Sequence, residues 1–206
     1  MAITLYALKP RFQGLLRPLA GRLAKAGLTA NQVTVLTAAT SVATGAFVAL
    51  ESAATWPFLL LPIMFLLRMA MNAVDGMLAR EFGQQSPLGA YLNELADVVS
   101  DIALYLPFAF VAPFGPWLVG LVIAASCVSE MAGALAPMVG AERRYDGPMG
   151  KSDRALVFGA LGLYVGVGGT LPDIAAALMP ALSILIGCNI VLRVRRGVAA
   201  AAGARR

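Results

Sequence analysis

Polar and small residues recur at helical spacing in one stretch, residues 72–101, of a chain that is otherwise strongly apolar. Asn72, Asp75 and Ala79 lie at positions i, i+3 and i+7, so they share one face of a predicted helix. A second predicted helix follows a short linker, and its polar face repeats every four residues. This second face comprises Gly89, Asn93, Asp97 and Asp101. The pattern predicts two antiparallel helices whose polar faces oppose each other.

Composition places these two helices in a membrane protein. Of the 206 residues, 59% are hydrophobic and 13% are charged, whereas about 25% of the residues in soluble domains are charged. A spanning helix needs about 20 apolar residues. The sequence therefore predicts an all-α polytopic membrane protein with six transmembrane helices. We expect the spans near residues 28–50, 56–80, 87–110, 117–138, 155–167 and 174–192.

The segment before the first span is basic and amphipathic. Residues 9–26 combine an apolar face with five basic and no acidic side chains. They predict an amphipathic interfacial helix on an anionic leaflet, and a simple orientation anchor is a compatible alternative. We expect a single domain over 1–206. Its parts are a juxtamembrane helix (1–27), a six-helix bundle (28–192) and a basic, frayed tail (193–206).

The positions of the basic residues predict the orientation of the bundle. All except Arg68 lie in the N-terminal segment, the linker with Arg80, the loop 139–154 or the C-terminal tail, and the other three connections have none. With six spans, the positive-inside rule puts both termini and the polar site on the cytoplasmic face of the inner membrane. The net charge of +5 then reflects orientation, and we expect no nucleic acid partner.

Composition also limits the chemistry of the site. The chain has no histidine, which rules out histidine-bound zinc and serine–histidine catalysis. Cys127 and Cys188 lie in apolar runs, so a disulfide framework is not indicated. Carboxylates at membrane depth usually pair or bind an ion. Ligands that are all oxygen suit Mg²⁺, Mn²⁺ or Ca²⁺ rather than zinc, so an ion bound between the two polar faces would be one of these.

Two more charged residues fall inside predicted spans. Arg68 lies one turn before Asn72 and needs a partner, for which Asp75 or a substrate phosphate is suitable. Glu130 either faces the same cavity or, as a protonated acid, hydrogen-bonds a neighbouring helix. The sequence leaves both alternatives open.

The polar stretch resembles the signature of the CDP-alcohol phosphatidyltransferases, D-x2-D-G-x2-A-R-x8-G-x3-D-x3-D. Asp75 and Asp97 match two of its four aspartates, Asn72 and Asn93 stand at the other two, and every spacing is retained. The resemblance covers residues 28–101 most strongly. It implies a phospholipid-synthesising enzyme in which a polar alcohol attacks the phosphoryl group of CDP-diacylglycerol and CMP leaves. It also implies a homodimer.

The resemblance implies a role for each matching residue. Asp97 is the expected catalytic base, and Asp75 and Asp97 are expected ligands of Mg²⁺ or Mn²⁺. The amide oxygens of Asn72 and Asn93 can bind a hard cation but add no charge. Glu94 and Asp101 are nearby acids that can compensate, and Asp101 is preferred because Glu94 lies one residue off the polar face. The residues expected to bind the CDP group are Gly76, Ala79, Arg80, Gly89 and Thr34.

The assignment of Thr34 depends on the start of the first span. Residues 28–34 read L-T-A-N-Q-V-T and are similar to a family segment that has proline in place of Ala30. A helix entry capped by Thr29 and a nucleotide contact through Thr34 are equally compatible with this sequence.

The acceptor side of the site is expected at the start of a later helix. Lys151 and Arg154 lie there and can bind a phosphate on the acceptor alcohol. Arg143 and Arg144, in the preceding loop, are expected to be orientation charges only.

Four functions are compatible with these features. The first is transfer of a phosphatidyl group to a polar alcohol, phosphorylated or not. The second is transfer of a headgroup from a soluble CDP-alcohol to a lipid hydroxyl. The third is a degenerate member that binds nucleotide or lipid without turnover, for which the two asparagines are the only support. A small transporter or channel is the fourth, but it would not need the eight-residue spacing between Arg80 and Gly89.

Overall fold

A computed structural model describes the backbone of residues 5–204 and the side chains of residues 12–203. These residues form an all-helical structure, as the composition and periodicity predict, with short 3-10 turns extending some helices. The α-helices are α1 (Leu5–Lys25), α2 (Ala30–Leu50), α3 (Leu60–Glu81), α4 (Pro87–Tyr105), α5 (Gly115–Ala134), α6 (Lys151–Gly166) and α7 (Leu178–Ala204).

Side-chain caps begin α2, which precedes the signature, and α4, which carries its second half. Thr29 Oγ1 accepts a hydrogen bond from the backbone N–H of Gln32, and the Gln32 side chain accepts one from the Thr29 N–H. This reciprocal capping box satisfies two backbone donors at the start of α2. Ser86 caps α4 by accepting a single hydrogen bond from the Gly89 N–H, with Pro87 in the first turn. The predicted cap at Thr29 is therefore confirmed.

Four helical segments are long and apolar enough to cross a membrane: Ala30–Leu50, Trp56–Glu81, Gly115–Val139 and Asp173–Gly203. The other two predicted spans are different in kind. Helix α4 contains Glu94, Asp97 and Asp101, and α6 has only 16 residues. The described residues thus give four candidate spans, and the six-span topology stays a prediction.

Close backbone packing joins α2 to α4. A Cβ on Gly45 would collide with the carbonyl oxygen of Ala103, so only glycine permits this approach. The main apolar core lies deeper in the bundle and contains stacked rings, such as Tyr105 against Phe158 at 4.1 Å between centroids. The signature residues therefore lie at one end of a tightly packed bundle.

Helix α1 packs along α3. Ala20 is fully buried and forms a small apolar cluster with Val74, Met77 and Leu78. Arg17 adds an exposed ion pair to Glu81 at 3.0 Å, and exposed pairs of this kind contribute little to stability. The helix is present, and its predicted position at a membrane surface stays a prediction.

The C-terminal segment differs from expectation. The prediction that residues 193–206 form a frayed tail is wrong as far as the structure describes them, because α7 continues to Ala204. Arg193 donates to the Ser129 carbonyl at 2.6 Å, and Arg196 donates to Asp146 at 2.9 Å. These contacts, with α5 and with the loop before α6, hold α7 in place beyond its apolar part.

Candidate active site

Helices α3 and α4 meet through the first and last positions of the signature. The Nδ2 of Asn72 donates a 3.0 Å hydrogen bond to Oδ1 of Asp97. Asn93 lies one turn before Asp97 and is partly buried, so it belongs to the same face of α4. The predicted convergence of the two polar faces is present in the structure.

Helix α2 also contacts the signature, through Thr34. Thr34 donates from Oγ1 to Oδ2 of Asp75 at 2.8 Å, and both residues are buried. The Thr34 Oγ1 also lies 3.0 Å from the Ala30 carbonyl oxygen, so its single hydrogen is shared between the two acceptors. The hydroxyl predicted to contact nucleotide thus fixes the orientation of the Asp75 carboxylate, and its contact with a CDP group stays a prediction.

Two cations surround the Asp97 carboxylate. Lys151 Nζ forms an ion pair with its Oδ1. Arg68 Nη2 lies 3.6 Å from the same oxygen and donates to the Asp97 backbone carbonyl at 3.3 Å. The Asp97 side chain remains 17% exposed, so a small molecule can reach it.

Arg68 has a different partner from the expected Asp75. Its Nη1 donates to Oδ1 of Asp101 at 2.6 Å, and both residues are buried. Arg154 donates to the other oxygen, Oδ2, at 3.2 Å. Asp101 therefore binds two guanidinium groups, which is a structural role, and its predicted role as a compensating metal ligand has no support from these contacts.

The signature glycines have different neighbours. A Cβ on Gly76 would lie 2.8 Å from Nη2 of Arg80, so the guanidinium of Arg80 folds over this face of α3. A Cβ on Gly89 would lie 2.7 Å from Oδ1 of Asn31. The space beside Gly89 is therefore shared with the start of α2, and the roles of both glycines and Ala79 in CDP binding stay predictions.

A group of charged residues that the sequence did not assemble lies next to the signature. Glu130 on α5 is 6% exposed and is surrounded by Arg143, Arg154 and Arg193. We call these four residues the arginine cage. Arg154 Nη2 donates to Glu130 Oε1 at 2.9 Å, Arg143 Nη2 donates to Oε2 at 3.3 Å, and Arg193 Nη1 lies 3.4 Å from Oε1. Glu130 thus has ionic partners, unlike a protonated acid.

Arg143 connects the cage to the edge of the site. It binds Glu94 through two hydrogen bonds of 2.5 and 2.6 Å and stacks on Tyr145 at 4.4 Å from the ring centroid. Burial acts to lower the pKa of Arg143, but the hydrogen bonds and charge of Glu94 outweigh it and raise the pKa. Arg143 is therefore more than an orientation charge.

The loop before α6 is pinned to α5 and α7. Asp146 accepts hydrogen bonds from Arg144 at 2.7 Å and Arg196 at 2.9 Å. Asn189 donates to the Pro148 carbonyl at 2.9 Å and accepts from Ser129 at 2.8 Å. Partial burial acts to raise the pKa of Asp146, but its two arginine partners lower it below the usual range. These contacts fix the segment that leads into Lys151.

The side chains at the four signature positions are of the type that binds a hard divalent cation. Asp75, Asp97, Asn72 and Asn93 offer only oxygen ligands, as Mg²⁺ and Mn²⁺ prefer. In the part of the chain that the structure describes, no three acidic, cysteine or histidine side chains are grouped to hold a metal ion. Because two of the four positions are amides, the site has less negative charge than the family pattern.

Comparison with known proteins agrees with this geometry. The family model for CDP-alcohol phosphatidyltransferases matches residues 27–194. The chain belongs to this family. It is 51% identical over 165 residues to the inner membrane protein YnbA of Escherichia coli (strain K12), covering 80% of the chain and 82% of YnbA. It is 28% identical over 131 residues to the archaetidylinositol phosphate synthase of Aeropyrum pernix, covering 64% and 66%.

Solved structures of a CDP-alcohol phosphatidyltransferase relative have the same fold. The phosphatidylinositol phosphate synthase PgsA1 of Mycobacterium tuberculosis with CDP-DAG bound superposes with a TM-score of 0.72 at 22% identity, over 87% of this chain and 92% of that one. PgsA1 in complex with manganese and citrate gives 0.69 at 21% identity, over 87% of both chains. At this identity the likeness shows the fold alone.

Sequence reasoning missed the residues that join distant parts of the family fold. Asn31, Arg143 and Arg193 each contact a residue at least 49 positions away. Gln84 does the same by accepting a hydrogen bond from the Ala30 N–H at 2.7 Å. Their only signal in the sequence was polarity beside an apolar span, which does not identify a partner.

Proposed function

We propose that this protein transfers a phosphatidyl group from CDP-diacylglycerol to a polar alcohol and releases CMP. The observation that supports this most is the contact of Asn72 with Asp97 across the two signature helices, where Asp97 stays 17% exposed and Thr34 binds the neighbouring signature residue Asp75. PgsA1, which shares the fold, binds CDP-DAG, and this supports the choice of the activated lipid.

Asp97 is the proposed general base. The acceptor hydroxyl gives its proton to the carboxylate, its oxygen forms a bond to the lipid-linked phosphorus, and the bond between that phosphorus and CMP breaks. Lys151, which contacts Asp97, and Arg154, one turn later on α6, form the proposed acceptor side. Arg80, folded over Gly76, is the proposed contact with the nucleotide, and the small residues Ala79 and Gly89 are its proposed neighbours.

A divalent cation, Mg²⁺ or Mn²⁺, would be held by Asp75 and Asp97 with the amide oxygens of Asn72 and Asn93. Its chemistry is to offset the charge of the diphosphate and to stabilise the leaving CMP. Thr34 holds the Asp75 carboxylate in place through its 2.8 Å hydrogen bond, so the ligand does not have to be ordered when substrate arrives.

The proposed location is the inner membrane, with the site and both termini on the cytoplasmic side. The name of the E. coli relative, an inner membrane protein, and the four candidate spans support a membrane location. The distribution of basic residues supports the orientation. Homodimer formation is a further prediction from the family.

The test is release of CMP by the purified protein in detergent. CDP-diacylglycerol would be offered with a panel of polar alcohols, and a soluble CDP-alcohol with diacylglycerol, each with Mg²⁺, Mn²⁺ or excess chelator. Metal-dependent release with CDP-diacylglycerol supports the proposal. Release only from the soluble CDP-alcohol means headgroup transfer. The two asparagines favour one further outcome, binding of CDP-lipid with no release under any condition, which would identify a non-catalytic member.

A further inference from the structure

The arginine cage has the geometry of an anion site that is filled by the protein itself. Its guanidinium groups come from the loop before α6, from α6 and from α7, and they converge on the single carboxylate of Glu130. Arg154 is 0% and Arg193 is 2% exposed. Proteins use guanidinium groups arranged in this way to bind phosphate or carboxylate. Here the carboxylate belongs to α5.

The cage is continuous with the proposed acceptor side. Arg154 donates to Glu130 at 2.9 Å and to Asp101 at 3.2 Å through the same nitrogen. Lys151, three residues earlier on α6, contacts Asp97. An alcohol that approaches Asp97 along α6 therefore lies beside the cage.

Exposure increases from the cage toward Glu94. The side chain of Glu130 is 7% exposed, that of Arg143 is 19% exposed and that of Glu94 is 33% exposed. The cage is thus closest to solvent where Arg143 binds Glu94. An anion that entered from this side would meet a guanidinium group already bound by two carboxylates.

Charges in this region are already matched within the protein. Arg143 has Glu94 and Glu130, Arg154 has Glu130 and Asp101, and Lys151 has Asp97. A phosphate monoester adds a charge of about −1.5 to −2 at pH 7. Beside Glu130 that charge would be repelled and would find no guanidinium group without a carboxylate partner.

We infer that Glu130 occupies the place of an acceptor phosphate, so that the acceptor is an alcohol that carries no phosphate group. This inference rests on the proposed transferase function. It makes Glu130 a specificity-determining residue, because its charge excludes the phosphorylated form of an otherwise acceptable alcohol. It also predicts that loss of this one charge exposes an anion site, since Arg193 would then have only carbonyl partners, those of Ser129 and Asp146.

The first test uses the wild-type protein and matched pairs of acceptors. Glycerol is compared with glycerol 3-phosphate, and inositol with inositol phosphate, by CMP release from CDP-diacylglycerol. The expected result is a kcat/KM at least about tenfold higher for a free alcohol than for its phosphate ester. A preference of the same size for a phosphate ester overturns the inference while leaving the transferase function in place.

The second test measures anion binding and does not depend on turnover. Thermal unfolding of the wild type and Glu130→Gln is followed with inorganic phosphate, against chloride at equal ionic strength. Because a ligand that binds only the folded state stabilises it, saturating phosphate should raise the Tm of Glu130→Gln by about 3 °C or more and leave the wild type unchanged. Equal responses in the two proteins, whether both shift or neither does, overturn the inference.

Asp146→Asn is the matched control for this measurement. It also removes a carboxylate that binds two arginines, Arg144 and Arg196, but it lies outside the cage. A phosphate response as large as that of Glu130→Gln would mean nonspecific binding and would overturn the assignment.

The outcome remains decisive in two other cases. If no acceptor supports CMP release, the proposed function fails, and the phosphate measurement still decides the role of Glu130. If Glu130→Gln does not fold, the wild type alone decides: saturable stabilisation by phosphate overturns the inference, and no stabilisation agrees with it.

Discussion

The signature edge, formed by Asn72, Asp75, Asn93 and Asp97, is adjacent to the arginine cage. The two regions differ in how far the protein encloses their carboxylates. At the signature edge, Asp75 accepts a hydrogen bond from the Thr34 hydroxyl. Asp97 contacts Lys151 and Arg68, but its side chain stays 17% exposed. In the cage, Glu130 contacts three guanidinium groups and is almost fully buried. A ligand can therefore still reach a carboxylate at the signature edge, whereas the carboxylate of the cage is enclosed by side chains of the protein.

This difference suggests that, within one polar cluster, the signature edge serves the reaction and the cage serves stability. Buried charges are tolerated in a membrane protein when they pair or line a functional site, and here the two solutions share Asp101 and Arg68 as a boundary. Changes at the signature edge should therefore alter turnover with little loss of stability. Changes in the cage should alter stability and the choice of acceptor.

Asp97→Asn should have the largest effect on turnover. The amide keeps the volume of the side chain but cannot accept the hydroxyl proton, so the rate of CMP release should fall by about 10²- to 10⁴-fold. The loss of stability in detergent should be smaller than for Glu130→Gln, because the Asp97 side chain is 17% exposed. Asp146→Asn, at the other end of the polar cluster, is the control with an unchanged rate. A rate within threefold of the wild type for Asp97→Asn would remove Asp97 as the base.

Glu130→Gln should have the largest effect on stability. Removing one partner from a buried ion pair typically costs about 3–5 kcal/mol, and three arginines lose a charged partner here. Equilibrium unfolding in detergent measures the loss. Glu94→Gln, whose side chain is 33% exposed, should cost clearly less. A loss below about 1 kcal/mol for Glu130→Gln would mean that the cage is not structural.

Lys151→Ala should affect the acceptor more than the lipid substrate. Lys151 lies beside the proposed base Asp97, so a hydroxyl bound to Asp97 can also accept a charge-assisted hydrogen bond from Lys151. Such a bond contributes about 1.5–3 kcal/mol, so the acceptor KM should rise by roughly ten- to a hundredfold. The KM for CDP-diacylglycerol should move much less, and Lys151→Arg should retain most of the affinity. Equal changes in the two KM values would instead mean that Lys151 binds the diphosphate of CDP-diacylglycerol.

Restoring the family pattern should change metal binding. In the double variant Asn72→Asp/Asn93→Asp, two carboxylates replace amides, and Mn²⁺ should bind roughly tenfold more tightly because added ligand charge raises affinity. Without metal the variant should be less stable than the wild type, since the Asn72 hydrogen bond to Asp97 becomes a repulsion. Mn²⁺ titration and metal-dependent unfolding check both points. Unchanged Mn²⁺ affinity would argue that other groups already supply the charge.

Asp146→Asn should have the smallest effect, about 0.5–1 kcal/mol of unfolding free energy. The pKa of Asp146 is lowered in the folded protein, so its contribution is present in full above about pH 5 and is lost as the pH falls below about 4. Wild type and variant should therefore differ at pH 7 and converge in acid. A difference that grows in acid would contradict this role for Asp146.

Local features of the sequence predicted most of the helices and the meeting of the signature faces. The cap at Thr29 and the four-residue repeat from Gly89 to Asp101 depend on neighbours within one helix turn. All the residues that such a signal needs are neighbours in the chain, so the sequence alone reveals it. Long apolar runs likewise predicted an all-α membrane protein without any knowledge of packing.

The errors came from partners that are distant in the chain. Arg68 pairs with Asp101 because of the relative rotation of α3 and α4, which periodicity does not specify. The C-terminal arginines looked like a frayed tail because Ser129 and Asp146, their partners, are about 50 to 64 positions away. The cage was missed for the same reason, since its members come from four separate segments.

The backbone contact between Gly45 of α2 and Ala103 of α4 limits how a lipid can enter. The two helices touch without intervening side chains, so they form a seam that cannot part without losing its packing. For the proposed transferase, this contact would keep a diacyl chain from passing between α2 and α4 at the level of Gly45. Gly45→Ala would test the contact by forcing the two helices apart.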